Sequence, residues 1–467
     1  MSKILLIKPR FLTDFEFKHI TQPLGLMYIG ATLKKAGHEP RIHDCAVDYK
    51  DLHSLRRTIK EWKPDFIGIS IMITELEQTK NIMEIIRKQP VRIPVTFGGP
   101  WPSAYPEESI RIFGADYVVL GEGEKAFPAL LEAIKKNLPV DFIPGTASII
   151  DGNVKINPSI QLDEEELNDL PFPDWGLLDH NLYAKMHSFA LVGIRPYISI
   201  ITSRGCPFHC AYCHQTMGKV FRKRSVESVL AEMEALRFQY GFKEFEIVDD
   251  CFNLDRKRMH AILKGIIDRL GDVKLYFPSG LRADIIEPED ISILKQAGAV
   301  ALFFAIETSS PRLQMVIHKN LNIDKASRAI RASVKAGIYT VGFFILGFPT
   351  ETYEEASATV EFAVRTDLHR AYFFYPMPFA GTELAKMAAD TLNGKNVEPM
   401  NMTFFNGSLN ISAMSDLELQ TVFRSAYRRF YMNPRRIIRL IIRYPRLTAL
   451  PRYALTGLVK IIPKRRG

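Results

Sequence analysis

Short apolar runs alternate with longer stretches of helical spacing through most of this chain. Lys3–Ile7 (KILLI) reads as a buried strand. Pro23–Leu33 has helical periodicity, continues through Lys34, Lys35 and Ala36, and stops at Gly37, a residue suited to a helix end. Arg41–Asp44 predicts a second strand, a helix follows over 51–62, and Phe66–Ser70 predicts a third strand. Helices at about 75–88 and 106–113 then lead to strands at Val95–Gly99 and Tyr117–Leu120, and Gly121-Glu122-Gly123-Glu124 opens a last helix to Lys136. Strands alternating with helices over short loops predict an α/β, doubly wound, Rossmann-like parallel sheet. Ligands bind such sheets off the carboxyl ends of the strands. Gly98, Gly99, Gly121 and Gly123 sit at those ends, where backbone can pass close to something large.

The pattern breaks at 138–195. Pro139, Pro144, Pro158, Pro171 and Pro173, with the acidic run Asp163–Glu166, predict a linker with a small hairpin. Alternation then resumes. Strands are expected at Tyr197–Thr202, 244–249, 274–279, 301–306, 340–346 and 371–375, with helices between them and Ser225 as one N-cap. Residues 415–432 predict a further helix. The expected domains are 1–137, a linker over 138–195, 196–388, and a basic helical tail over 389–467.

Charge is unevenly placed. The chain is +9, yet Arg424–Gly467 holds thirteen Lys and Arg and no acid, which leaves residues 1–423 at −4. Within the tail, Arg435, Arg436, Arg439 and Arg443 alternate with apolar pairs at 437/438 and 441/442, the pattern of a basic amphipathic helix. Two readings fit: a helical cap on the preceding domain, or peripheral contact with an anionic membrane. No recognised nucleic-acid-binding module accompanies the charge, so nucleic acid is not expected. No apolar run is long enough to predict a spanning helix or a signal peptide. With five cysteines, three of them on one loop, no disulfide framework is predicted, and a reducing, cytoplasmic setting is expected.

That loop is the most specific feature. Cys206, Cys210 and Cys213 stand in C-x₃-C-x₂-C spacing, with Tyr212 just before the third. Three thiolates on a short loop suit three irons of a [4Fe–4S] cluster and leave the fourth iron open. A structural zinc site is the competing reading, but zinc asks for four ligands. His209 or His214 could add one, and no second ligand pair follows.

The motif resembles that of the radical S-adenosylmethionine (SAM) enzymes. The resemblance implies a partial (β/α)6 TIM-type barrel, with a cluster that cleaves SAM to a 5′-deoxyadenosyl radical. It implies roles for Tyr212 beside the adenine, Glu307 on the ribose hydroxyls, Arg282 toward the SAM carboxylate, and Gly347 with Phe348 and Pro349 along the adenine. Asp249, with Asp250, belongs to the same implied set. The N-terminal half resembles a cobalamin-binding domain through Ser70-x-Met72-x-Thr74 and Gly98-Gly99, with Gly121 and Gly123 beyond. It departs from that family by lacking D-x-H-x-x-G after the first strand, so no protein histidine is expected beneath the cobalt.

The two resemblances together imply an enzyme of the class B radical SAM methyltransferase type. It would use cobalamin, SAM and a [4Fe–4S] cluster to methylate an unactivated carbon of a small-molecule or lipid-like substrate. An electron donor such as flavodoxin or ferredoxin would supply it. A radical oxidative cyclase on the same scaffold and a non-catalytic cobalamin or iron–sulfur protein are the alternatives. A methylthio-transfer enzyme is disfavoured, because only Cys45 and Cys251 remain for a second cluster.

Overall fold

In the computed structural model, all residues are described except 12–19, 49–51, 214–215, 380, 392–408, 447–448 and 450–467. His19, His214 and the end of the basic tail, all singled out in the sequence, lie outside the described residues. The chain forms two compact units, one built mainly from residues up to 186, the other from 187 onward.

The first unit is a seven-stranded sheet in the order β2-β1-β3-β4-β5-β6-β7. Its strands are β1 (Lys3–Lys8), β2 (Glu39–Asp44), β3 (Phe66–Ser70), β4 (Val95–Gly98), β5 (Tyr117–Val119), β6 (Thr146–Ile150) and β7 (Asn153–Ile156). The first five run parallel. Period-two alternation in β1 sends Leu5 and Ile7 to one face and Ile4 and Leu6 to the other. Helices α2 (Leu52–Trp62) and α3 (Leu76–Arg87) cover the first face, α1 (Leu24–Lys35) and α6 (Gly123–Lys135) the second. The sheet is therefore doubly wound, as expected. The helix expected near 106–113 is α5 (Pro106–Arg111), and an unexpected short helix, α4 (Pro100–Ala104), precedes it, separated because Pro106 starts a new helix where it cannot continue the old one.

The stretch expected to be a linker is largely part of this unit. β6 and β7 form the hairpin, but they extend the sheet antiparallel beyond β5. The helices α7 (Glu164–Asp169) and α8 (His180–Tyr183) follow. Proline marks the ends of these short elements, which read as linker in the sequence because each is too short to show a period.

The second unit carries six parallel strands in the order β15-β14-β13-β12-β11-β8. They are β8 (Ile198–Ile200), β11 (Glu244–Ile247), β12 (Lys274–Leu281), β13 (Ala299–Glu307), β14 (Tyr339–Ile345) and β15 (Arg370–Phe374); a small ladder, β9 (Ser203–Arg204) with β10 (Arg222–Lys223), follows β8. Between them run α9 (Val226–Glu234), α10 (Arg256–Arg269), α11 (Pro288–Gln296), α12 (Pro311–Val316), α13 (Ile323–Lys335) and α14 (Tyr353–Arg365). The Ser225 hydroxyl caps α9 by accepting from Ser228 N–H. After β15 come α15 (Glu383–Thr391), α16 (Asp416–Tyr431) and α17 (Pro434–Arg443).

One face of this sheet meets helices: Phe344 packs on Phe362 of α14, and Phe373 on Tyr427 and Phe430 of α16. The other face gathers Tyr276, Phe303, Tyr339, Val341 and Tyr372 around the segment 190–192 and Tyr444. Helices outside and apolar side chains inside make the sheet barrel-like. No helix among the described residues is long and apolar enough to cross a membrane.

Candidate cluster and cofactor sites

The cysteine loop leaves β8 at its carboxyl end and is fastened at several points. Asp249, fully buried after β11, accepts from Thr202 N–H at 2.6 Å and from the Thr202 and Ser203 hydroxyls, each at 2.5 Å. Asp250 accepts from Gly205 N–H at 3.1 Å, where Gly205 takes φ +80°. Ala211 N–H donates to Ile317 C=O at 2.9 Å, and Leu384 N–H donates to Ala211 C=O at 2.8 Å. Lys219 Nζ holds the Phe208 carbonyl at 2.7 Å. Asp249 thus fixes the backbone that leads into the loop.

The three loop cysteines are in no disulfide and half-buried, which suits ligands reached from one side. Among the described residues, no three or more Cys, His, Asp or Glu side chains converge on a single ion position. A [4Fe–4S] cluster asks for one thiolate per iron instead. His209 is exposed on the loop. Burial pushes the Cys213 thiol up to about 11, while a hydrogen bond with Cys251 favours the Cys206 thiolate. Cys251 is itself buried, 3.8 Å from Asn253 Oδ1.

Beside the loop lies a polar cluster at the end of β13. The β13–β14 register slips between Ala305 and Glu307, and Glu307 takes φ +67°, a left-handed conformation rare for a non-glycine residue. Such strain persists where the surroundings enforce it and gathers at functional sites. Tyr212 OH donates to Glu307 Oε1 at 3.2 Å. Lys319 Nζ donates to Tyr212 OH at 3.0 Å and to Glu307 Oε1 at 3.4 Å. All three groups are largely buried, and burial raises the Glu307 carboxyl above its usual range despite Lys319. The Tyr212 ring packs on Phe348 at 5.8 Å between centroids. Gly347 has φ +103°, and its N–H and that of Phe348 both donate to buried Glu351.

Tyr212, Glu307 and the Gly347–Phe348 turn are therefore neighbours. Arg282 is near but engaged: it pairs with Asp284 at 2.9 Å, donates to the Lys319 carbonyl at 3.0 Å, and stacks over the Phe208 ring at 3.9 Å. Reaching a SAM carboxylate would require it to leave these partners. Asn253 fixes its backbone, accepting from Arg282 N–H and donating to its carbonyl. Lys319, Asn253 and Glu351 were not legible as site residues; each sits in a loop without periodic pattern. The donor set suits SAM, with a buried carboxylate for a diol and an aromatic wall for an adenine.

In the first unit the strand order reverses between β1 and β3, the crevice where such sheets bind ligands. Ser70 ends β3 there, and Met72 and Thr74 follow, Met72 exposed and Thr74 half-buried. Glu75 pins this turn: its carboxylate accepts from Met72 N–H at 2.9 Å and pairs with Lys8 at the end of β1. Gly99 takes φ +95°, and a Cβ there would stand 3.0 Å from Ile71 N and from Ser70 Oγ. Gly121 takes φ +65° and donates its N–H to Ser103 Oγ at 2.9 Å, while Ser103 Oγ donates to Gly99 C=O at 2.8 Å. The strand ends are thus drawn together by backbone that tolerates no side chain at Gly99, a cradle that suits a large planar cofactor. Gly98 makes only ordinary contacts, and Gly123 is buried against Ile29 and Val119, where it lets α6 pack close to the sheet. A groove of about 810 Å³ lined by Arg87, Arg92, Asp116 and Tyr117 lies at the opposite, amino ends of β4 and β5.

Comparison with known proteins agrees with this geometry. The chain matches the B12 binding domain family over residues 14–131 and the Radical SAM superfamily over residues 200–363. It is 29% identical over 446 residues to an uncharacterized methyltransferase of Pyrococcus horikoshii, covering 94% of both chains. It is also 29% identical over 476 residues to the cytidylyl-2-hydroxyethylphosphonate methyltransferase of Streptomyces wedmorensis, covering 89% of this chain and 87% of that one. In fold it is similar to the radical SAM methyltransferase TsrM of Kitasatospora setae, solved with cobalamin and a [4Fe–4S] cluster, at a TM-score of 0.69 and 20% identity over 85% of this chain and 76% of that one. The chain thus carries a B12 binding domain and a Radical SAM domain, each matched over part of its length, and it is an enzyme.

Proposed function

We propose that this protein methylates an unactivated carbon, using a [4Fe–4S] cluster, SAM and cobalamin. The observation that carries this reading is the meeting of Tyr212, Glu307 and the Gly347–Phe348 turn beside a loop with three cysteines in no disulfide. When bound, the three groups supply a carbon-centred radical and a transferable methyl group.

The residues of this chain have distinct tasks. Cys206, Cys210 and Cys213 provide thiolates, and Asp249 and Asp250 fix the backbone that presents them. Glu307 accepts hydrogen bonds from the ribose hydroxyls of SAM, and Lys319 favours the charged form of that buried carboxylate against its burial. Tyr212 and Phe348 line the adenine. Arg282 turns from Asp284 toward the SAM carboxylate. In the first unit, Gly99 and Gly121 let backbone lie against the corrin, and Ser70 and Thr74 offer hydroxyls at its edge. Half-buried Phe343 and Phe374, in edge contact at 5.7 Å, favour an apolar substrate surface. A flavodoxin or ferredoxin supplies the electrons.

Anaerobic reconstitution with iron, sulfide and hydroxocobalamin, followed by gel filtration, tests the cofactor set. Cobalamin and iron co-eluting with the protein are expected. Incubation of this form with SAM, reductant and candidate apolar substrates should give a product heavier by one methyl group. A product that has lost hydrogen or closed a ring without gaining carbon would replace methyl transfer with oxidative chemistry.

A further inference from the structure

The arginine-rich helix α17 sits on the second unit the opposite way round from an ordinary amphipathic helix. Arg436 and Arg439 face the protein. Arg436 is buried; it donates to the Val364 carbonyl at 2.7 Å, the Thr366 carbonyl at 3.0 Å and the Leu368 carbonyl, with its guanidinium 3.7 Å from the Phe430 ring centroid. These carbonyls lie at the end of α14, where a cation meets the negative end of the helix dipole. Arg439 holds Asp367 through both its carbonyl, at 2.8 Å, and its carboxylate, at 2.9 Å. Leu440 and Tyr444 anchor the far end in the inner apolar cluster.

This docking leaves the apolar face outward. Ile437, Ile438, Ile441 and Ile442 are 43%, 57%, 47% and 69% exposed. At 100° per residue the four occupy one arc of the helix. Arg435 and Arg443 flank it, exposed and without an ion pair among the described residues. The chain has no acid from Arg424 to its end.

We propose that the isoleucine face of α17 is a docking surface for an anionic lipid bilayer. Four adjacent aliphatic side chains are a depth suited to the boundary of headgroups and acyl chains, and the flanking arginines meet anionic headgroups. A second copy fits the face less well. A twofold interface would set the same patch against itself and bring Arg435 and Arg443 of both copies together, while the acid beside α17, Asp367, is already paired with Arg439. One ten-residue helix also offers less than the roughly 800 Å² per partner typical of a stable interface. Helix α17 is set, through its arginine side, against the loop that enters β15, at the amino ends of the barrel strands. Glu307 and Gly347 lie at the carboxyl ends. The bilayer contact would therefore hold the barrel with its chemical end turned from the membrane, and it is independent of the reaction proposed above.

The test is co-sedimentation of the full-length, cluster-loaded protein with vesicles of phosphatidylglycerol and phosphatidylcholine, and with phosphatidylcholine alone. The expected result is sedimentation with the anionic vesicles, weakened by added salt, and reduced at least tenfold in the Ile438→Glu/Ile442→Glu variant. Ile438→Ser/Ile442→Ser is the milder second variant, and iron content with thermal melting checks that both are folded. Arg435→Gln/Arg443→Gln should weaken binding to the anionic vesicles alone. Three outcomes overturn the proposal: no sedimentation of the parent protein, undiminished sedimentation of both folded isoleucine variants, or a parent dimer in sedimentation equilibrium that the glutamate variant dissolves. The last would assign the face to a second copy.

Discussion

The two parallel sheets present their carboxyl ends in different chemical terms. In the first unit those ends are mostly backbone. Gly99 and Gly121 take left-handed conformations, and the Ser103 hydroxyl ties them together. In the second unit they are side chains: three thiols, a strained carboxylate, a buried lysine and an aromatic ring. On the function proposed above, the difference follows from the two tasks. A large planar group with a carbon surface is held by shape, which needs close backbone and little charge. An iron cluster and a charged sulfonium nucleoside are held by directed bonds, each with its own donor or acceptor. One motif, strand then loop then helix, serves both, and only the loop residues differ.

Substitutions should separate the two modes. The largest effect is expected from Cys206→Ala, Cys210→Ala or Cys213→Ala: loss of cluster iron and sulfide and of SAM cleavage, with cobalamin binding retained. Loss of cobalamin in the same variants would show that the two sites are not separable. Glu307→Gln removes a charged acceptor, worth roughly 1.5–3 kcal/mol, so the dissociation constant for SAM should rise about 10- to 100-fold by equilibrium dialysis. Unchanged affinity would remove Glu307 from the SAM site.

Gly99→Ala places a Cβ 3.0 Å from the Ile71 backbone at φ +95°. It should destabilise the first unit by about 1–3 kcal/mol and weaken cobalamin retention while sparing SAM binding. A pH effect is expected in the barrel. Burial pushes Glu351 up to about 8, whereas it ionises near 4.5 in the unfolded chain. Unfolding then releases a proton between those values, so this contribution is full below pH 4.5 and is lost as pH rises toward 8. The slope is at most about 1.4 kcal/mol per pH unit, and Glu351→Gln should flatten it in denaturant titrations. The smallest effect is expected from Ser103→Ala. It should lower stability by about 1 kcal/mol and weaken cobalamin binding slightly, because it cuts only the link between the glycine turns.

Much of this architecture was legible in the sequence, for physical reasons that also explain the gaps. Runs such as KILLI and FIGIS declare buried parallel strands because both faces of such a sheet are covered. The cysteine spacing is local, so it survives without knowledge of the fold. Lys319 is different: it follows a short helix as an ordinary turn lysine, and only the tertiary fold carries its amine to Tyr212 and Glu307. The Lys8–Glu75 pair joins residues 67 positions apart and carries no pattern at all. Helix α17 shows a further limit. Its two-sided pattern was plain, but a pattern does not say which side meets protein, and here the side of Arg436 and Arg439 does.

The most direct test of the central claim is release of 5′-deoxyadenosine by the anaerobically reconstituted protein, given SAM and a strong reductant. Release by the parent chain, abolished by Cys206→Ala and weakened by Glu307→Gln at limiting SAM, is the predicted result. A fully loaded cluster with SAM bound and no nucleoside released would contradict it.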